Sequence, residues 1–398
     1  MSKPQEIITP CLFLPGDADE KATVLSMAEG ESSSTSDLAM RGGSVIIGSS
    51  SDGWLVTADD RGALRMANPA TGSHADLPPI TTLPFLSSSC CGNWFCLDVH
   101  SFLQVRFAGA PPPPDDTDWG HDPPTTYTLT AAQMRQRFYR KVVLSSSSPP
   151  PPGSNTYAAM LLTDRHVGAP AFATAADPSW RMAPSPDGVE DAIYYGGRFV
   201  SITYAGHVEA WRRDTGTGEF TSEAAAPRLD YANKLLRRKY LAAAPDGGQL
   251  MAVLKHSKEQ EEEEGYGSSR GCKVTRVFFK VLVLDQASGR WEEAAEDIIG
   301  GAALFVGVNA SVRVPARERR GISAGRVYFT DDEVGGACMR HARGAGGGHQ
   351  RSSYDGEPAD DTELQEAGVY SLKTGKVERI AGEHPRWPPP AWFTPSFP

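Results

Sequence analysis

The chain has 398 residues, 40% hydrophobic and 22% charged, which is apolar content enough for a large core and excludes an intrinsically disordered chain. Its 39 basic against 49 acidic residues leave a formal charge of -10, which argues against a surface that tracks nucleic-acid phosphates. Six cysteines are too few for a disulfide scaffold, and no run approaches the roughly 18 apolar residues of a spanning helix. The apolar run Cys11–Leu14 between two prolines is too short for a signal-peptide core. These features lead us to expect a monomer in the cytoplasm and/or nucleus, with neither a membrane nor a nucleic acid as partner.

Forty Gly and 31 Pro residues point to a turn-dense chain, and the predicted elements are mostly strands. Residues 1–43 form an N-terminal segment in which "PCLFLP" (10–15) is a candidate ring-closing strand, packing near "GVYSL". "GSSSDGW" (48–54) lacks the Gly-x-Ser-x-Gly of a nucleophile elbow and reads as a tight turn before a strand starting at Trp54. "DDRGALRMANPATGSHADLP" (59–78) places a short alternating run between two turn signals. The best helical candidate, "TAAQMRQRFYRKVVL" (130–144), ends in β-branched residues.

"GRFVSITYAGHVEAWRRDTGTGEFTSE" (197–223) reads as three antiparallel strands, Arg198 to Tyr204, His207 to Arg213 and Glu219 to Glu223. "LLRRKY" (235–240) reads as a charged turn or a weak nuclear signal. "YLAAAPDGGQLMAVLKH" (240–256) is a hairpin hinged at Pro245 to Gly248. In "VFFKVLVLDQASGRWEEA" (277–294) Phe279, Val281 and Val283 share one face while Leu282 and Leu284 share the other, so this strand is expected to be buried on both sides. "GRVYFTDD" (325–332) and "AGVYSLKTGKVERIAG" (367–382) continue the series. Low-complexity tracts near 109–124, 145–155, 257–271 and 335–366 are expected to be disordered insertions between strands.

Turn pairs recur at Thr71-Gly72, Thr215-Gly216, Ser288-Gly289 and Thr374-Gly375, separated by intervals that suit small sheets repeated along the chain. The fold class this implies is all-β, with residues 44–398 forming a β-propeller of about six to eight four-stranded blades, most simply seven. A closed ring protects the sheet margins that separate sheets would leave open.

The chemistry-bearing residues are sparse. Cys91, Cys96 and His100 in "CCGNWFCLDVH" lack the second ligand pair of a structural zinc site, and the cysteines read as buried strand thiols. His166, His207 and His256 are spaced by about one blade each, with His100 upstream, which raises the alternative of a metal-dependent propeller enzyme with axial histidines. Asp331 and Asp332 are adjacent on a strand end and point to opposite faces. Trp54, Trp94, Trp211, Trp291, Trp387 and Trp392 read as inter-blade packing. The sequon Asn309-Ala310-Ser311 carries little weight. The sequence therefore assigns no catalytic, cofactor-binding or metal-binding residue and no cofactor, and the partner expected is another protein.

In order along the chain, the Gly48 to Trp54 turn, Asn68-Pro69-x-Thr71-Gly72, Leu304-Phe305-Val306-Gly307 with Ser311, and Trp387-Pro388-Pro389-Pro390-x-Trp392 resemble the plant family of F-box-associated β-propellers now called Kib-type propellers. The resemblance covers roughly residues 10–398. It implies a propeller that holds a protein substrate, joined in many members to an F-box that docks onto a ubiquitin-ligase adaptor. The residues before Gly43 show no helical apolar pattern, so an F-box is not expected here, and the family supplies no catalytic residues.

Overall fold

Alternating residues punctuated by Gly, Asn and Asp dictate short strands and tight turns. The computed structural model describes residues 10–14, 23–27, 32–34, 44–50, 53–69, 71–89, 94–107, 126–145, 157–230, 236–243, 248–262, 272–294, 299, 301–309, 311–317, 321–330, 367–380 and 390–394. Four antiparallel meanders dominate them. The first comprises Val45–Ser49, Leu55–Ala58, Leu64–Ala67 and His74–Leu77. The second comprises Tyr139–Leu144, Ala158–Thr163, Ala171–Thr174 and Arg181–Met182. Val189–Tyr195, Arg198–Thr203, Val208–Arg213 and Phe220–Ala226 make the third. Leu236–Ala243, Leu250–Glu262, Cys272–Asp285 and Arg290–Glu293 make the fourth.

Towards the C-terminus, Ala302–Val306 pairs with Val312–Pro315 and, in parallel, with Arg326–Thr330, which leads into Ala367–Ser371 and Val377–Arg379. Cys11–Leu14 lies between Thr23–Ser26 and Ala391–Phe393, so strands from both ends of the chain share one sheet. "PCLFLP" thus takes its hydrogen bonds from the last described strand, while Leu12 packs in one apolar cluster with Ala367 of the "GVYSL" strand.

The innermost strands form a circuit. Val45–Ser49 pairs in parallel with Tyr139–Leu144, which lies against Val189–Tyr195, then Leu236–Ala243, then Val312–Pro315. Ala391–Phe393 returns the circuit to Val45–Ser49. The architecture is a β-propeller. A three-stranded sheet of Leu86–Ser88, Trp94–Asp98 and Thr126–Thr130 is inserted between the first two meanders in sequence and packs into their shared core without parting their inner strands.

Local departures from the sequence expectations have physical reasons. The segment 130–144 is not one helix: Ala131–Gln133 makes a single capped turn, Met134–Phe138 a π-turn, and Tyr139–Leu144 an inner strand whose β-branched residues are buried. The longest described helix is Val99–Phe107, which is not among the elements expected from the sequence. "LLRRKY" is an inner strand, with Arg238 and Lys239 buried rather than in a solvated turn. Of the expected insertion at 257–271, Ser257–Glu262 continue a strand paired with Cys272–Val277, since cross-strand backbone hydrogen bonds hold a polar sequence extended. The insertions at 109–124 and 335–366, the Pro245 to Gly247 hinge, Cys91, Asp331, Asp332 and Trp387 lie outside the described residues, as does the 145–155 tract beyond Ser145.

The repeated turn is real and more specific than a Thr-Gly pair. Asn68, Asp214, Asp285 and Ser371 each accept through their backbone carbonyl from a glycine N–H four residues on, at 2.9, 2.8, 2.8 and 2.8 Å. Their side chains accept from the N–H groups between. The closing glycines, Gly72, Gly218, Gly289 and Gly375, have φ of 71°, 73°, 63° and 66°. At the third meander the positive φ thus falls on Gly218, two residues after the Thr215-Gly216 pair expected from spacing.

Hydrogen bonds from Thr217 and Gly216 N–H hold the Asp214 carboxyl below the ordinary Asp value of 3.8, and those from Ser288 and Ala287 do the same for Asp285. A carboxylate whose pKa is lowered on folding contributes fully above its unfolded value and loses that contribution as pH falls through the lowered folded value. Asn68 performs the same capping without titrating. The double variant Asp214→Asn/Asp285→Asn should therefore lose less thermal midpoint than wild type between about pH 5 and pH 2; equal declines would refute the assignment.

Gly48 stands opposite Val142 where two inner strands run in parallel, and a Cβ there would come closer to the Val142 carbonyl oxygen than the 3.0 Å real Cβ atoms keep. Because the obstacle is backbone, Gly48→Ala should part this pairing and lower stability by about 1–3 kcal/mol, measured by chemical denaturation. An unchanged midpoint would contradict the parallel contact.

Candidate functional site

Each of four inner strands carries a β-bulge near its start, at Ile47, Arg140, Glu190 and Arg237. A bulge re-aims side chains out of the regular alternation, and in the second, third and fourth meanders it lies beside charged residues at the strand starts. Lys141, fully buried, meets Asp191 of the next strand at 2.6 Å, and the second Asp191 oxygen accepts from Leu241 N–H of the strand after that at 2.8 Å. One carboxylate thus ties three consecutive inner strands. Glu190 repeats the device one residue earlier, accepting from Lys239 N–H at 3.0 Å and pairing with Lys239 Nζ.

The same end of the ring holds the turns that join second to third strands. Gly168 and Gly188, with φ of 66° and 67°, approach each other and the Arg106 guanidinium so closely that a Cβ on either would lie 3.1–3.3 Å from that side chain. Arg106, at the end of Val99–Phe107, donates to the carbonyls of Arg165 (3.2 Å), His166 (2.8 Å) and Pro186 (3.2 and 3.3 Å). It acts as a staple through two turn segments. Beside it, the Tyr204–Ala205 turn gathers further cations. Arg140 donates to the Tyr204 hydroxyl at 2.9 Å, Lys239 Nζ to the Tyr204 carbonyl at 3.1 Å and Arg228 Nε to the Ala205 carbonyl at 3.0 Å. The Arg165 guanidinium carbon lies 5.2 Å from the Tyr204 ring centroid, within cation–π range. Burial pushes the Tyr204 hydroxyl pKa up against the pull of Arg140 and Arg238, so the phenol stays neutral.

His207 pairs with Asp187 at 2.8 Å on this face, both side chains partly exposed, and burial raises the nearby Glu209 carboxyl. The four spaced histidines do not gather. His100 is exposed on the helix and His166 on a turn, His207 pairs with Asp187, and His256 is buried and stacked on Phe278 with centroids 4.7 Å apart. Among the described residues no group of three or more His, Cys, Asp or Glu side chains is placed to hold a metal ion. Cys96 is a free thiol.

The tryptophans divide by role. Trp211 stacks in the cluster between the second and third meanders, and Trp392 packs edge-on to Phe305 while its Nε1 donates to the Val306 carbonyl at 3.1 Å. Trp54 is partly buried against the first core, Trp291 donates to the Pro227 carbonyl at 2.8 Å, and Trp94 is 49% exposed. Trp180, not singled out from the sequence, bridges to the Pro78 carbonyl at 2.7 Å. Asn309 of the sequon is buried, its amide donating to Ser49 Oγ at 3.0 Å and to the Trp392 carbonyl, where it helps close the ring.

The closed circuit of strands and the turn-bearing face define the class: a β-propeller. The family model of the KIB1-4 beta-propeller matches residues 24–371, and the chain belongs to that family. No curated protein matches. Among solved structures, the beta-propeller domain of Cps50 (Swd1) from Myceliophteria thermophila is 13% identical, covers 64% of this chain and 86% of that one, and superposes with a TM-score of 0.23, too loosely to bear on this site.

Removing one member of a dry ion pair leaves the other charged and unpaired, which costs about 3–5 kcal/mol. Lys141→Met and Asp191→Leu should each destabilise the fold by that order, and the double variant by less than either single change, by urea unfolding. Additive losses would mean that the pair does not couple the strands.

Proposed function

We propose that this chain is a non-catalytic protein-interaction module whose turn-bearing face holds another protein, related to the substrate-recognition propellers of ubiquitin-ligase F-box proteins. The observation that carries this reading is the division of labour at the inner-strand starts. Buried charges there are spent on one another across strands, as in Lys141–Asp191 and Lys239–Glu190, while Arg165 and Arg228 remain exposed on the connecting segments. The Arg165 turn is held by Arg106 and the Arg228 connection by its bond to the Ala205 carbonyl, and accessible side chains on loops held by a rigid scaffold are the physical form of a recognition surface. We propose further that the chain acts as a monomer in the cytoplasm and/or nucleus; its charge of -10 supports a protein rather than a nucleic acid as partner.

Affinity purification of the folded chain from native tissue, with the heat-unfolded chain as control, should enrich the same protein in every replicate. Recovery of no reproducible partner would overturn the reading.

A further inference from the structure

We infer that the surface around the Tyr204–Ala205 turn docks a peptide segment bearing clustered anionic groups, carboxylate or phosphate. This rests on the interaction-module reading and specifies its partner. Four cationic side chains from three meanders and their connections converge on two residues: Arg140 on the Tyr204 hydroxyl, Arg165 on its ring, Lys239 on its carbonyl and Arg228 on the Ala205 carbonyl. Lys239 is neutralised by Glu190. Arg140, Arg165 and Arg228 form no ion pair among the described residues. Of the neighbouring carboxylates, Asp187 pairs with His207, and Asp164 accepts the His166 N–H at 2.8 Å without forming an ion pair among the described residues.

Gathering like charges costs energy unless an opposite charge arrives. Arg165 contacts the turn through its face, Arg228 through Nε, and Arg140 through one terminal nitrogen and its face, which leaves further N–H groups of each planar fork for a ligand. That fork matches carboxylate and phosphate in a two-point geometry. The chain carries a net charge of -10, so capture of an anionic peptide depends on a local group of cations and not on the overall field. Were the arginines only braces for the turn, changing them would move stability and leave recognition untouched.

Fluorescence anisotropy on the full chain tests this with three labelled peptides: one rich in glutamate, one carrying a phosphoserine in a Gly/Ser background, and the Gly/Ser peptide alone. At least one anionic peptide should bind, more weakly as salt is raised, and binding of both would identify carboxylate as sufficient while binding of the phosphopeptide alone would identify phosphate. Arg165→Glu/Arg228→Glu should weaken that binding at least about tenfold with little change in thermal midpoint, since both side chains are exposed. The uncharged Arg165→Gln should act in the same direction. The inference is overturned if neither anionic peptide binds better than the Gly/Ser control, or if the double variant binds as wild type does. A partner still recovered from native tissue would then show that the module uses another surface.

Discussion

A sheet of short strands with apolar residues on both faces has no stable existence alone, and the structure depends on each face finding a neighbour. The apolar clusters follow this constraint around the molecule. Val45 and Val56 of the first meander pack with Val142 and Leu161 of the second. Phe172 of the second stacks on Phe220 of the third at 4.1 Å. Ile193 and Val200 meet Leu241 and Leu254, and Tyr240 and Phe279 meet Leu304 and Phe329. Phe305 and Tyr328 pack on Leu12 and Trp392, while Phe13 and Phe393 pack on Ile46 and Leu55 of the first meander. The last interface returns to the first sheet, which closes the circuit of apolar contacts among the described residues. Each buried large side chain contributes roughly 1.5–3 kcal/mol, and the circuit as a whole gives the ring its rigidity.

Ring closure imposes a second condition, because the inner strands crowd together at the centre where polar backbone and side chains have little water. Charges buried there are tolerable only when paired and hydrogen-bonded. Asp191 meets the condition by accepting from Lys141 on one side and from Leu241 N–H on the other. Asn309 does the same work at the closure, between Ser49 and the Trp392 carbonyl. The bulges make this possible: slipping one residue at Arg140 and Glu190 frees those side chains from regular alternation and directs them to Tyr204 and Lys239. Adhesion between strands and presentation of cationic turns are therefore consequences of one geometric device.

How much of this was legible in the sequence depends on range. Strand alternation is a local property, and Phe279, Val281 and Val283 do lie in one cluster while Leu282 and Leu284 lie with the next. The Asn68, Asp285 and Ser371 turns were visible as Thr/Ser-Gly pairs, but "DTGTG" offers two such pairs, and only backbone geometry selects Gly218. The site was not legible. Nothing in "LLRRKY" says that Lys239 is buried against Glu190, because the partner lies 49 residues away. Nor does periodicity reveal a bulge, which appears only when a strand is laid against its neighbour. A signal was available in hindsight: charged residues near the starts of strands with apolar interiors, in "YRKVVL", "VEDAIYY" and "LRRKYLAA", break the pattern at equivalent places.

Those breaks also explain why the cationic side chains gather on one face. In each meander the inner strand starts at the same end of the ring as the second-to-third turn, since Val189 is opposite Thr203 and Leu236 opposite His256. Charges introduced near the strand starts therefore lie beneath turns such as Tyr204–Ala205, and fixing one fixes the other. The Asn, Asp and Ser turns with closing glycines occupy the opposite end, where their side chains are consumed by their own backbone. The side chains of those turns are thus satisfied locally, while the other end gathers Arg140, Arg165 and Arg228 on the Tyr204–Ala205 turn. That asymmetry is what a repeated, mostly apolar scaffold needs in order to present one distinct surface.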